Sequence, residues 1–179
     1  MTKIVEEKSY DGATEKIERL GLQSLIQELR LLLTSFSLLV EEKRDANGGA
    51  FLRRLIDEQF EKVGGWAKKQ TGGIDWQKCL RVNGTRVCIG VEIQVSGRSD
   101  MIAVDLIHLK DAIVTGSIDA GVVVVPSDQL GRFLTDRGPR KSEAERHLTH
   151  ARAEDIPLVM IVLEHDGPGP PLAKQTKRR

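Results

Sequence analysis

Residues 73–94 read GIDWQKCLRVNGTRVCIGVEIQ, two strand-like runs folded about Asn83-Gly84. Asn-Gly between alternating runs predicts a hairpin, because both residues tolerate the positive φ that a two-residue turn demands. With those two as the loop, Val82 faces Thr85, and counting outward sets Asp75 opposite Glu92 at a non-hydrogen-bonded position. At such positions the α-carbons approach to roughly 4.5 Å and both side chains leave on one face. Gln94 joins Glu92 on that face. Directly opposed carboxylates repel, so the cluster makes physical sense if a divalent cation neutralises it. Mg²⁺ takes oxygen ligands from one or two carboxylates and keeps several waters.

The same register sets the two cysteines, Cys79 and Cys88, directly opposite each other. A cross-strand disulfide and a reduced pair both fit this placement, and a cytosolic setting, which keeps thiols reduced, favours the reduced pair. His147 and His150 are three apart, but no cysteine or carboxylate spacing around them completes a zinc pattern, and they read as helix-surface residues.

At 179 residues the chain suits one domain with a sizeable core. Lys and Arg number 27 against 26 Asp and Glu, so any basic surface must be local. Aromatic residues make up 4%, which argues against single-strand binding on stacking platforms. No signal-like segment opens the chain, no apolar run approaches membrane-spanning length, and a soluble cytoplasmic protein is expected.

Residues 1–15 are polar and charged, and an irregular start is expected. Leu22, Leu25, Ile26, Leu29, Leu32, Leu33, Phe36, Leu39 and Val40 follow the spacing of an amphipathic helix. Leu31 and Leu38 fall on its opposite side, to be covered by a partner or by another helix of the chain. A second helix spans about Ala50 to Val63, stopped by Gly64-Gly65, with Glu58 bordering its apolar face and Asp57 pointing away. After the hairpin come a helix from Met101 to Val114, a strand at Gly121 to Val125 buried on both faces, a short helix capped by Ser127 or Asp128, and a helix from Ser142 to Ala153. A last strand spans Pro157 to Leu163. Glu145 lies three residues after Ser142, in capping-box spacing. One domain over residues 1–166 is expected, with N-terminal helices over about 16–63 and an α/β core over about 64–166. A basic tail containing Pro and Gly, residues 167–179, is expected to be disordered.

A strand-borne Asp, then Glu-x-Gln on the next strand, then a helix resembles the PD-(D/E)XK nuclease core. With Gln at the last position, Asp105-Leu106-Ile107 and the stretch from Gly116 to Pro126 following, the chain resembles the BglII and BamHI group of restriction endonucleases over roughly residues 51–166. The resemblance implies a restriction-endonuclease-like α/β fold, a mixed sheet flanked by helices. It further implies an Mg²⁺-dependent endodeoxyribonuclease, with Mn²⁺ able to substitute, acting as a homodimer on a short palindromic site in double-stranded DNA.

On this reading Asp75 and Glu92 bind the metal, aided by the main-chain carbonyl of Ile93. Gln94 stands where many relatives carry Lys and would orient the attacking water. Glu58 is the positional match for an acidic residue that relatives contribute from the preceding helix, with a partly exposed helix carboxylate as the competing reading. Asp105 resembles a family feature, against a simpler surface role. Phosphate contacts are expected from Arg132, Arg137, Arg140, Lys141, Arg146 and Arg152, and base contacts from the loops around Arg81, Arg98 and the 137–146 stretch. Solvated surface charge is the competing account of these cations. Two other readings remain: a non-catalytic DNA-binding or protein-interaction domain on this scaffold, and a structural hairpin whose acids pair with Arg86, Arg98 or Lys78.

Overall fold

The computed structural model describes residues 1–68, 73–135 and 139–174. In chain order its elements are β1 (Lys3–Tyr10), α1 (Ala13–Arg19), α2 (Gln23–Thr34), β2 (Leu39–Val40), α3 (Gly49–Val63), β3 (Ala67–Lys68), β4 (Trp76–Val82) and β5 (Thr85–Ile93). There follow α4 (Met101–Val114), β6 (Ala120–Pro126), α5 (Asp128–Phe133), α6 (Lys141–Ala151), β7 (Leu158–Glu164) and β8 (Gly167–Pro168).

The hairpin forms in the register that Asn83-Gly84 dictates, from Trp76 opposite Val91 to Val82 opposite Thr85. Both turn residues have positive φ, 50° and 83°, the requirement of a type I′ turn. β5 then pairs in parallel with β6, and β6 with β7, while β1 closes one edge antiparallel to β7 and β3 the other antiparallel to β4. The result is a six-stranded mixed sheet in the order β1-β7-β6-β5-β4-β3.

All seven residues of β6, AGVVVVP, are buried, as a strand covered on both faces requires. Val122, Val124, Ile89, Val91, Ile93 and Ile161 meet α2 and α3 on one side. Val123, Val125, Met160 and Val162 meet α4 and α6 on the other. Phe60 of α3 stacks on Trp76, with centroids 4.8 Å apart and planes 9° from parallel, and meets Trp66 edge-on at 5.1 Å. These rings fasten α3 to the outer hairpin strand.

Several expectations are corrected. The polar start is not irregular: β1 and α1 occupy it, and β1 is a highly charged edge strand, a composition that suits exposed edges. The long helix ends at Thr34, after which Phe36, Leu38 and Val40 are buried while Ser37 and Leu39 are exposed. The burial period changes there from helical to strand-like. Leu38 is therefore core, whereas Leu31 remains 61% exposed.

Ser142 is not the cap of α6, which Arg140 precedes in extended conformation; instead the Ser142 N–H and hydroxyl both donate to Asp128 Oδ1. Residues 167–174 are placed rather than disordered, since β8 pairs with β2 and the Leu172 N–H donates to Asn47 Oδ1. Cys79 and Cys88 form a disulfide rather than a reduced pair. Their non-hydrogen-bonded position, with α-carbons 4.0 Å apart, brings the two sulfurs together.

Candidate active site

The site is built where the hairpin leaves its ladder. The last paired residues are Trp76 and Val91; one step further, Asp75 turns its carboxylate inward and Oδ2 accepts from the Ile93 N–H at 2.8 Å. Gly90 makes room for this approach. A Cβ there would stand 2.6 Å from Ile74 Cδ1 and 2.7 Å from Ile118 Cδ1, so a side chain at this position would push both isoleucines from where they lie.

Glu92 is 2% exposed, and its Oε1 is buried without a hydrogen-bond partner among the described residues. Burial and the neighbouring Asp75 carboxylate push it up to about 10. Because alternate residues of β5 face α4, the helix delivers Asp105 and His108 to the same spot. His108 Nδ1 lies 3.7 Å from Glu92 Oε1, and one donor atom from each of Glu92, Asp105 and His108 falls within 4.8 Å of the others. Asp105 is half-buried, and burial with the Asp75 charge raises it to about 7 against the pull of Arg53. Its expected surface role is thus corrected. A buried carboxylate oxygen lacking a donor, facing two further ligand groups, is a donor set that fits a divalent cation.

The positive charge already present is Arg53 of α3. Its Nη2 lies 2.7 Å from Asp75 Oδ1, its Nη1 donates to the Ile93 carbonyl at 3.0 Å, and its Nε meets Asp57 at 3.1 Å. Asp57 also accepts from the Trp76 indole at 2.9 Å and from Lys68 at 3.1 Å. Asp57 therefore points into the structure, not away from it. It is held charged: the Trp76 indole and the cations Arg53 and Lys68 overcome the opposing effect of burial, lowering its pKa.

Of the residues expected in the site, Asp75, Glu92 and Ile93 meet at one spot. Gln94 follows, buried, its N–H donating to the Val124 carbonyl and its side-chain amide reaching the Arg98 carbonyl at 3.5 Å. Glu58 is not brought in; it is half-exposed and faces Arg54 at 3.8 Å. The pairing of the hairpin acids with Arg86, Arg98 or Lys78 is also not found, since Asp75 meets Arg53, Lys78 meets Glu28 and Arg98 meets Asp100. Sequence reasoning missed Arg53 and His108. A signal for Asp105 existed, because Ile102, Asp105, Leu106 and Leu109 share the buried helical spacing, which puts a carboxylate at a core position.

Since β5, β6 and β7 are parallel, the segments after them leave the sheet at the end where the acids sit. Arg98, Arg132 and Arg140 lie in those segments. Arg132 and Arg146 are exposed and make no ion pair among the described residues, whereas Lys141 is held by Glu6 at 2.6 Å and Arg98 by Asp100 at 2.7 Å. Arg140 is half-buried. Arg137 lies outside the described residues.

The fold and this end-of-hairpin cluster agree with a comparison of the whole chain against known families. No curated protein matches the chain. The family model described as restriction endonuclease BglII/BglIII matches residues 5–163, from β1 through nearly all of β7, so the chain belongs to the BglII/BglIII family of DNA-cleaving restriction endonucleases.

Proposed function

We propose that the chain is a type II restriction endonuclease that hydrolyses DNA phosphodiester bonds with Mg²⁺, or Mn²⁺ in its place, as a homodimer on a short palindromic site. The observation that carries this is the meeting of Asp75, the buried Glu92 and the Ile93 carbonyl where the hairpin leaves its ladder. Those three would hold the ion. A bound divalent cation lowers the pKa of water and stabilises the charge that builds on the phosphorane.

The chain's own residues supply the rest. Gln94 carries no charge, so its amide oxygen can accept from the attacking water and fix its direction without competing for the proton. Arg53 neutralises Asp75 and the Ile93 carbonyl in the free protein. With those oxygens engaged elsewhere, its guanidinium suits a non-bridging phosphate oxygen, which it can grip through two N–H groups. Arg132 and Arg146 offer backbone contacts that hold the duplex across the site. The dimer reading draws on α4, where Met101, Val104 and Ile107 stand 44%, 38% and 46% exposed along one stripe.

The alternative of a non-catalytic domain on this scaffold draws on the Arg53 contact, which satisfies Asp75 without any ion. It leaves Glu92 Oε1 unexplained. Incubating DNA of known sequence with the protein and Mg²⁺ separates the readings: discrete fragments are expected, lost in Asp75→Asn. An uncut substrate at every metal concentration would favour the non-catalytic domain.

A further inference from the structure

The two sides of Glu92 are chemically different. Toward Asp75 the neighbours are a carboxylate, a main-chain carbonyl and the Arg53 guanidinium. Toward α4 they are the Asp105 carboxylate and an imidazole nitrogen, His108 Nδ1, which is 3.7 Å from Glu92 Oε1. Asp105 and His108 are three residues apart on one helix, so their side chains project together from a rigid element. The orphaned atom, Glu92 Oε1 in a side chain only 3% exposed, is the one that faces the imidazole. Among the described residues His108 has no hydrogen bond, ion pair or ring contact other than this one, so its ring nitrogens are not committed elsewhere.

We propose that Glu92, Asp105 and His108 form a second cation site, beside the one at Asp75 and the Ile93 carbonyl, that takes a first-row transition ion such as Mn²⁺ or Co²⁺ in preference to Mg²⁺. Mg²⁺ demands oxygen ligands and gives up its waters reluctantly, whereas an imidazole nitrogen suits the transition ions. The inference deepens the metal-dependent reading above and rests on it for the role of the ion, though not for its binding. Occupancy here would leave Asp75 and its Arg53 contact in place, with Glu92 as the ligand shared by the two sites.

The test uses the full chain and Mn²⁺ alone. Pulsed paramagnetic resonance of bound Mn²⁺ should show a directly coordinated imidazole nitrogen, a signal that needs no variant. His108→Ala should remove that signal and weaken Mn²⁺ binding by about tenfold or more. Circular dichroism verifies that the variant is folded, and His108→Gln repeats the loss with a side chain of similar size. Bound Mn²⁺ with oxygen ligands only, or unchanged affinity in both variants, would overturn the second site while leaving the nuclease reading standing. Full cleavage by Asp75→Asn would instead remove the nuclease assignment of that acid and leave the nitrogen signal as evidence for this one.

Discussion

Arg53 Nη2 lies 2.7 Å from Asp75 Oδ1 while its Nη1 donates to the Ile93 carbonyl: a cation from α3 bridges the two hairpin groups that would otherwise ligate a metal. Replacing it with an uncharged chain of similar length, Arg53→Met, strands two partly buried carboxylates and a carbonyl. Metal-free stability should fall by about 2–4 kcal/mol. Divalent cation should restore more of this loss than it adds to the wild type, because the ion takes over the guanidinium's role. Urea titrations in chelator and in Mn²⁺ measure both; equal gains in the two proteins would contradict the substitution of one cation for the other.

Metal-free stability should decline as pH rises. Glu92 is pushed up to about 10 and Asp105 to about 7, so the folded protein keeps protons that the unfolded chain has released above about pH 5. Their contribution is complete below the ordinary carboxylate range, is lost through pH 7 for Asp105, and is lost toward pH 10 for Glu92. Each proton contributes at most about 1.4 kcal/mol per pH unit. Asp57 and Asp166 are lowered instead, but their effect is confined to acid below the ordinary carboxylate values. Thermal midpoints in chelator between about pH 5 and 9 should therefore descend, and a rising profile would count against the buried acids.

Asp75→Asn and Glu92→Gln should each slow cleavage roughly a thousandfold, the scale of several kcal/mol of transition-state stabilisation. Only the second should also raise the metal-free melting temperature near pH 8, because it removes a carboxyl that must otherwise stay protonated to remain buried. Calorimetry of the two variants beside a gel assay distinguishes loss of chemistry from loss of fold.

Ile107→Asp should yield monomer. The residue is 46% exposed on the α4 stripe, and a charge there has no partner across a two-fold contact. Sedimentation at several concentrations gives the result; unchanged association would place the dimer contact on another surface.

Arg132→Ala and Arg146→Ala should weaken DNA binding evenly across sequences, each lowering the salt slope by about 1. Lys141→Ala should change little, since its charge is already spent on Glu6 at 2.6 Å. Fluorescence anisotropy over a salt series gives all three slopes.

How much could be read in advance differs element by element. Asn83-Gly84 determined the hairpin register, and α4 has the bounds read from the sequence, Met101–Val114, although Asp100 before it makes no capping hydrogen bond. The start of the chain was not legible, because β1 is charged and its pairing with β7 is a long-range event that local composition does not record. Phe36, Leu39 and Val40 were read at helical spacing and Leu38 on the opposite side, although the alternation of Phe36, Leu38 and Val40 with Ser37 and Leu39 marks a strand. In the site, the acids of the hairpin followed from strand alternation. Arg53, Asp57 and His108 come from helices whose rotation against the sheet depends on packing, and Asp57 and Glu58, adjacent in sequence, differ in fate for that reason alone.

The pairing of Lys3 with Glu164 has a consequence for synthesis. On the ribosome β1 emerges with no partner to receive it, and β4, β5 and α4, which carry the acids, are made before β6 and β7. The nascent protein can hold its acid-bearing hairpin before it holds a finished sheet, so the step that closes the six-stranded sheet is the pairing of its earliest strand with β7, the last of the six to be made.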